Sequence, residues 1–153
     1  MRVLVTGAAG YIGSQISYIL HDSNIKHINL DNLSTGKKKL LNKKTNFYYL
    51  DINEKQKIKK LLKRNKIDCV IHLAAFILVS ESMKNPYEYY NNNVVKFINF
   101  IEACAEAKIK NFVFSSTCAV YDQNFKRVNE KTPLDPKSIY GKTKLNCENI
   151  LKF

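Results

Sequence analysis

The chain has 153 residues, of which 45% are hydrophobic, so it is long enough for one globular domain with a buried core. No apolar run approaches the roughly 20 residues that span a bilayer, and the amino terminus enters a glycine loop at once. We therefore expect a soluble, cytoplasmic protein with no signal peptide and no membrane partner. The four cysteines form no Cys-x-x-Cys pattern, which predicts reduced thiols and no metal site.

The formal net charge of +12 has two interpretations. Much of the lysine lies in residues 37–44 and 55–66, and the second stretch follows a helical pattern whose apolar positions are Ile58, Leu61 and Leu62. Its lysines then form either a solvated face or a surface for nucleic acid. We favour the solvated face because the lysine bias extends along the whole chain, and we expect no nucleic-acid partner.

Short apolar runs and helical periodicity alternate along the chain. The runs predict strands at residues 2–6, 25–30, 47–50, 68–75 and 112–114. The periodicity predicts helices at 12–20 and 54–64, a long helix from Pro86 to about Ala105, and a last helix from about Tyr140. This alternation is typical of a parallel sheet covered on both faces. We predict an α/β fold of the Rossmann type, a doubly wound sheet in strand order 3-2-1-4-5, as one domain over residues 1–153.

The first motif is the glycine loop Gly7-Ala8-Ala9-Gly10-Tyr11-Ile12-Gly13, which joins the first strand to the first helix. The turn is tight, and a side chain there would keep a pyrophosphate from the backbone N–H groups at the helix start. Asp31 closes the next strand, where a carboxylate accepts hydrogen bonds from ribose hydroxyls and repels a 2′-phosphate. Together they predict an NAD site, although Lys37 to Lys39 leave NADP open. The alternative is a structural turn with a capping aspartate.

Two other strand ends carry candidate residues. Asp51-Ile52 follows the third strand, where the carboxylate either meets an adenine amino group or caps the helix that follows. His72-Leu73-Ala74-Ala75 ends the fourth strand, and its small residues allow the backbone to lie against a cofactor. His72 itself is expected to be a structural histidine rather than a proton carrier.

The most specific motif is Tyr140-Gly141-Lys142-Thr143-Lys144 at the start of the last helix. Tyr140 and Lys144 are four residues apart, so they share one helix face, and an ammonium beside a phenol lowers the phenol pKa. Such a phenol exchanges a proton with a sugar hydroxyl. Thr117, after the fifth strand, offers a hydroxyl that shares this proton.

These motifs resemble the extended short-chain dehydrogenase/reductases, and within them the UDP-glucose 4-epimerase family. The resemblance covers essentially the whole chain. Its segments, in order, are Val5 to Ser14, Asp31-Asn32-Leu33, Glu81 to Pro86, Glu88 to Val94, Phe112 to Thr117 and Ser138 to Lys144. Members of this family carry a second half that binds the sugar nucleotide. The resemblance therefore identifies the chain as an NAD-binding half, truncated before that domain.

The resemblance implies a function and a set of site residues. The implied reaction interconverts UDP-galactose and UDP-glucose by reversible hydride transfer between the sugar C4 and bound NAD. The implied catalytic residues are Thr117, Tyr140 and Lys144. The implied cofactor-binding residues are Gly7, Gly10, Tyr11, Ile12, Gly13, Asp31, Asn32, Leu33, Ser34, Thr35, Gly36, Asp51, Ile52, Leu73, Ala74, Ala75, Asn93, Tyr140 and Lys144. A homodimer formed through the helices from Pro86 and Tyr140 is a further implication.

Three departures from the family pattern keep other functions open. Ile77 stands where the family has a cofactor-contacting lysine, Thr117 where serine is frequent, and Asp122 where glycine is usual. The first favours another NAD-dependent sugar-nucleotide epimerase or a dehydratase. Because the sugar-nucleotide half is expected to be missing, a non-catalytic NAD-binding relic is a third hypothesis.

Overall fold

A computed structural model describes residues 1–152, and Phe153, the last residue of the predicted domain, lies outside the described residues. The chain forms two compact units. The first contains Met1–Ala74 and Asn99–Ser115, and the second contains Ala75–Ile98 and the residues from Ser116 onward. The extent of a single domain over the chain stays a prediction.

The first unit is built on a five-stranded parallel sheet. Its strands are β1 (Arg2–Thr6), β2 (Lys26–Asp31), β3 (Asn46–Tyr49), β4 (Cys69–His72) and β5 (Asn111–Phe114). They lie in the order β3-β2-β1-β4-β5, which confirms the predicted topology. The predicted fourth strand was too long, because the ladder between β1 and β4 ends where Thr6 stands opposite His72.

Alternating side chains of the sheet face helices on both sides of the first unit. Val3 and Val5 pack in one buried cluster with α1 (Tyr11–Asp22), whereas Leu4 packs in another with α2 (Lys55–Arg64) and α5 (Lys96–Glu106). Each fully buried aliphatic or aromatic side chain contributes roughly 1.5–3 kcal/mol relative to exposure. The two clusters therefore confirm a doubly wound sheet.

The same capping motif ends three helices of the first unit. Two residues after α1, α2 and α5, the chain enters the left-handed region at Asn24 (φ 55°), Lys66 (φ 49°) and Lys108 (φ 62°). The next residue is isoleucine each time, and its N–H donates to the carbonyl five residues earlier, at 2.8, 3.1 and 3.0 Å. This is the Schellman arrangement, in which glycine is the usual left-handed residue. Each isoleucine packs against a core cluster, so the motif aims the chain into the next strand.

The second unit is mainly helical and differs from the prediction. Its helices are α3 (Val79–Lys84), α4 (Pro86–Tyr90), a π-helical turn (Asn91–Val95), the first residues of α5, and α6 (Ile139–Ile150). The prediction missed α3 and joined α4, the π turn and α5 into one helix. Tyr89 is 1% exposed, and its hydroxyl donates to Glu81 (2.9 Å) and accepts from the Leu78 N–H (3.1 Å). Burial raises the pKa of Tyr89 to about 12.

Replacing Lys66 or Lys108 by glycine should stabilise the chain. A Cβ atom in the left-handed region costs roughly 1 kcal/mol or more, and glycine removes this conflict. We expect the free energy of unfolding to rise by about 0.5–1 kcal/mol for each change, measured by denaturant unfolding. Lys66→Ala keeps the Cβ atom and should give no gain. A gain from alanine as large as that from glycine would contradict the strain argument.

Candidate functional site

The glycine loop holds its backbone against the segment that follows β4. Gly7 has a φ of 66°, and a Cβ there would lie 2.8 Å from the Ala74 nitrogen and the Leu73 carbonyl carbon. A Cβ on Gly13 would overlap the Gly7 carbonyl group. Both positions therefore require glycine, for conformation at Gly7 and for space at both.

The start of α1 is open to an anion. Gly10 is the N-cap residue in an extended conformation, and no side chain in the described residues caps this helix. The Tyr11 and Ile12 side chains are 79% and 57% exposed. The backbone N–H groups of the first turn, together with the helix dipole, favour a negatively charged group at this point.

Asp31 connects the glycine loop to the segment after β2. One carboxylate oxygen accepts from the Ala9 N–H at 2.9 Å, and the other accepts from the Leu33 N–H at 2.7 Å. A Cβ on Gly36 would lie 2.9 Å from this carboxylate, so the chain folds back over it. Asp31 is 7% exposed, and its two contacts use two of the roughly four lone-pair sites of a carboxylate.

The segment after β2 has a strained and defined conformation. Leu33 has a φ of 57°, which is rare for a branched apolar residue. Asn32 accepts from the Ser34 N–H at 3.0 Å and donates to Asp51 at 2.7 Å. Ser34 and Thr35 are exposed. This geometry joins the ends of β2 and β3 through side-chain contacts.

Asp51 does not cap α2, so that alternative was wrong. The N-cap residue is Glu54, and Asp51 accepts from the Asn53 N–H at 2.8 Å in a local turn. Ile52 is 7% exposed and belongs to a core cluster, so its side chain has a packing role.

His72 is a structural histidine, as expected from the sequence. It is 2% exposed, and its Nδ1 atom lies 2.8 Å from the Thr6 hydroxyl. Its ring stacks on Phe100 at 5.0 Å and on Phe114 at 6.1 Å. These contacts hold β4 against β1 and the α5 face of the sheet.

In the second unit, Asn93 in the π-helical turn connects two segments. Its side chain accepts from the Phe76 N–H at 2.8 Å and donates to the Phe76 carbonyl at 2.9 Å. It also donates to the Thr143 hydroxyl on α6 at 3.2 Å, and its own carbonyl accepts from the Cys147 thiol. Through these bonds the Asn93 amide fixes the position of Phe76, near the start of the second unit. The contact of Asn93 with a cofactor stays a prediction. Ala75, which precedes Phe76, is half-buried.

The structure brings Thr117 and Tyr140 together in the second unit. Ser138 caps α6 by accepting from the Gly141 N–H at 3.0 Å, and the buried Ser82 accepts from the Tyr140 N–H at 3.1 Å. The Thr117 hydroxyl is near enough to the Tyr140 phenol to lower the phenol pKa through a hydrogen-bonding interaction. Lys144 lies one turn further along α6 and is 3% exposed.

Burial, rather than the lysine, dominates the ionisation of this pair. Desolvation raises the pKa of Tyr140 above its ordinary value, and the hydrogen bond from Thr117 opposes this only in part. The expectation of a lowered tyrosine pKa was therefore wrong for the chain by itself. Burial also lowers the pKa of Lys144 to about 8, with smaller opposing effects of Cys147 and Glu148.

Sequence reasoning missed the residues that support this pair. Ser82 and Thr143 are buried, and Thr143 donates to the Tyr140 carbonyl at 2.7 Å. Only the spacing of Thr143, three residues after Tyr140, could have indicated its contact with the first turn of α6. Ser82 is 58 residues from Tyr140, and no local pattern marks it.

The described residues give no sign of a metal centre or a membrane span. No group of three or more His, Cys, Asp or Glu side chains among residues 1–152 is placed to hold a metal ion. None of the helices in this part of the chain combines the length and hydropathy that crossing a bilayer requires.

Comparison with known proteins gives consistent matches over the chain. The model of the NAD dependent epimerase/dehydratase family matches residues 3–152. The UDP-glucose 4-epimerase of Lactobacillus helveticus is 43% identical over 154 aligned positions, which cover 100% of this chain and 47% of that protein. The crystal structure of UDP-glucose 4-epimerase from Brucella ovis in complex with NAD is 34% identical, with a TM-score of 0.94, over 99% of this chain and 46% of that one.

A third relative has a broader name. The UDP-Glc/GlcNAc 4-epimerase from Campylobacter jejuni is 38% identical, with a TM-score of 0.93, over 99% of this chain and 48% of that one. The chain thus spans about half the length of the curated relatives and solved structures that it matches.

Replacing Lys144 by methionine tests the effect of burial on its pKa. Between the folded value of about 8 and the ordinary value of 10.5, the unfolded chain binds a proton that the folded chain lacks. The contribution of Lys144 to the free energy of unfolding therefore rises with pH in this window. Relative to Lys144→Met, the wild type should gain up to about 3 kcal/mol from pH 8 to 10.5 and nothing from pH 6 to 7. Parallel pH profiles in denaturant unfolding would contradict the shift.

Replacing Asn93 by alanine should destabilise the second unit. The change leaves the Phe76 N–H and carbonyl without their partner, which costs about 2–3 kcal/mol when such groups are buried. Hydrogen exchange of the Phe76 amide and denaturant unfolding measure the effect. Asn92→Ala is the matched control, because the Asn92 amide donates one bond, to Asn93, and its loss should cost about 1 kcal/mol or less.

Proposed function

The chain belongs to the NAD dependent epimerase/dehydratase family, and we propose that it is the NAD-binding part of a UDP-glucose 4-epimerase. The proposed reaction interconverts UDP-galactose and UDP-glucose at the sugar C4. The observation that carries the proposal is the glycine loop, which leads from the crowded Gly7 to an uncapped helix start, with Gly13 packed against Gly7 in the first turn of α1. Relatives named UDP-glucose 4-epimerase, at 36–43% identity over the whole chain, support the choice of substrate.

The first unit fits the adenosine diphosphate part of NAD. Its uncapped α1 start offers N–H donors to a pyrophosphate, and a side chain at Gly10 would fill the space before them. Asp31 retains lone pairs for ribose hydroxyls, and its negative charge disfavours the 2′-phosphate of NADP. The surrounding segment from Asn32 to Gly36 and the Asp51 carboxylate extend this surface towards the adenine in the proposal. When bound, NAD supplies a positively charged hydride acceptor for the sugar C4.

The second unit carries the groups that move the proton. In the proposal, the Tyr140 oxygen takes the proton of the C4 hydroxyl and later returns it. The Thr117 hydroxyl supports this exchange, because its hydrogen bond favours the phenolate. Lys144, with a pKa near 8, keeps its ammonium at neutral pH and supplies positive charge one turn from the phenol.

A second candidate function is epimerisation of another sugar nucleotide, or dehydration of one. Ile77 stands where the family has a lysine, and its side chain is 63% exposed. The Campylobacter jejuni relative, named a UDP-Glc/GlcNAc 4-epimerase, supports an N-acetylated sugar as an alternative substrate. A non-catalytic NAD-binding protein is the third candidate.

Two further proposals concern assembly and location. A homodimer is supported by the apolar side chains of Tyr87, Val95 and Ile98, which are 81%, 50% and 40% exposed along α4, the π turn and α5. A cytoplasmic location is supported by four cysteines that are free thiols, since reducing compartments maintain that state.

Gly10→Ala tests the cofactor proposal with little risk to the fold. The added Cβ would meet only the Gly7 carbonyl, at 3.2 Å, but it would stand between the helix start and a pyrophosphate. Calorimetric titration should show that the wild type binds NAD and that the variant has an affinity for NAD lower by roughly tenfold or more. An unchanged melting temperature is the control for folding, and equal NAD affinity of the two proteins would contradict the proposed pyrophosphate position.

In the same samples, conversion of UDP-galactose tests the catalytic residues. Tyr140→Phe should reduce turnover by roughly 10²–10⁴-fold, the usual size of acid–base effects. Thr117→Val should reduce turnover as well, whereas Thr117→Ser keeps the hydroxyl and should retain most of it. NAD binding without any conversion by the wild type would favour the non-catalytic candidate, and conversion of only N-acetylated sugars would favour the second.

A further inference from the structure

Basic residues are concentrated where the strands of the first unit begin. Because the sheet is parallel, all five strands start at one edge, which we name the strand-start edge. Its cations lie in the first residues of β1 and β2 and in the turns before β3, β4 and β5. They are Arg2, Lys26, Lys43, Lys44, Lys66, Lys108 and Lys110, and all seven are exposed. Asp68 is the carboxylate in these segments, and Asp22 and Glu106 are the last residues of the adjoining helices α1 and α5.

Unlike Lys55, Lys57 and Lys59 of α2, the cations of the strand-start edge have no salt-bridge partner in the part of the chain that the structure describes. Lys55 forms salt bridges with Glu102 (2.8 Å) and Glu106 (2.9 Å), and Lys59 pairs with Glu106, so that these charges are neutralised between α2 and α5. No salt bridge within residues 1–152 involves any of the seven cations. The Asp68 carboxylate accepts from the Arg2 backbone N–H at 2.7 Å and lies 3.9 Å from the amino group of Met1. The Arg2 guanidinium donates to the Asn65 carbonyl at 3.1 Å, which is a neutral group and does not cancel its charge.

The register of the sheet brings part of this charge together. Arg2 and Lys26 are direct neighbours across β1 and β2. With Lys66, Asn24 and Asp68 they line a shallow cavity of about 590 Å³. Neighbouring strands lie about 4.8 Å apart, so the five strand starts cover roughly 19 Å. The edge is thus wide enough for several anionic groups at once.

Backbone conformation gives no reason for lysine at two of these positions. Lys66 and Lys108 are the left-handed residues of Schellman caps, where glycine is less strained. The third equivalent cap has Asn24, a residue that tolerates this conformation better than lysine. The property that lysine adds at these two turns is a positive charge at the strand-start edge.

We propose that the strand-start edge docks an acidic segment of a partner protein, through the carboxylates of that segment. Complementary charge favours this partner, and Asn24 and Asn46 are exposed at the same edge and offer hydrogen bonds to a peptide. The aromatic side chains nearest this edge, Phe47 and Phe112, pack against the core clusters, so they present no free face on which a nucleic-acid base would stack. This docking is independent of NAD binding and of the proposed reaction.

The experiment measures binding of a fluorescently labelled poly-glutamate peptide by anisotropy, at low and at high salt. The wild type should bind at low salt, with an affinity that falls steeply as salt rises. Lys26→Glu/Lys110→Glu should weaken binding roughly tenfold or more. Lys84→Glu/Lys131→Glu, which makes the same change of net charge on exposed lysines of the second unit, should weaken it much less.

A second pair of variants separates charge from folding. Lys66→Gly/Lys108→Gly removes two charges and relieves two strained caps, so it should bind roughly threefold or more weakly while melting at a higher temperature. Asn24→Gly relieves the third cap without a change of charge and removes one neutral hydrogen-bonding group, so it should weaken binding less than the loss of two charges does. Absent binding at low salt, or equal loss in the two charge-reversal variants, would overturn the proposal. Tighter binding of an oligonucleotide with the same dependence on Lys26 and Lys110 would replace the acidic protein by nucleic acid.

Discussion

The close approach of backbone to backbone at Gly7 is the constraint on which the first unit depends. With no Cβ at Gly7, the end of β1 lies against Leu73 and Ala74 after β4, and α1 starts close to the sheet. Asp31 then fixes the same loop from the other side, by accepting the Ala9 N–H. The atoms proposed to surround the cofactor are therefore held by contacts that also hold the sheet. Such a site is formed before a ligand arrives, which reduces the entropy lost on binding.

The strands and the topology of the sheet could be predicted from the sequence, because they depend on patterns within short segments of the chain. Apolar runs gave the strands, and the predicted order of strands is that of the Rossmann fold, in which the glycine loop follows β1, so the topology was correct. The break at Asn91–Val95 was not predictable, because an apolar periodicity continues through it. The break coincides with the bonds of Asn93 to Phe76 and Thr143, which are 17 and 50 residues away. A pattern within a short window contains no information on contacts at that distance.

Recurrent capping illustrates the opposite case, where the sequence contained a signal that was not used. Asn24-Ile25, Lys66-Ile67 and Lys108-Ile109 each follow a helix by two residues and have the same hydrogen bonds. An isoleucine after a polar residue is too frequent to identify a cap by itself. The same pair of residues before three different strands does form a pattern. None of the three caps has the glycine that usually marks a Schellman motif in a sequence, so the pattern was not recognised. At two of these caps the residue that replaces glycine is a lysine, Lys66 or Lys108, and it adds a charge to the strand-start edge.

The ionisation of Tyr140 shows why pairwise reasoning from sequence was insufficient for the chemistry. A spacing of four residues identifies a charge near the phenol, but the cost of removing the phenolate from water depends on tertiary burial. In the structure burial has the larger effect, and the pKa of Tyr140 rises. If Tyr140 is the proposed base, a positive charge close to the phenol would favour its ionisation, because the Thr117 hydroxyl offsets the effect of burial only in part. Proton transfer by Tyr140 would then depend on the charge that a bound ligand brings close to the phenol.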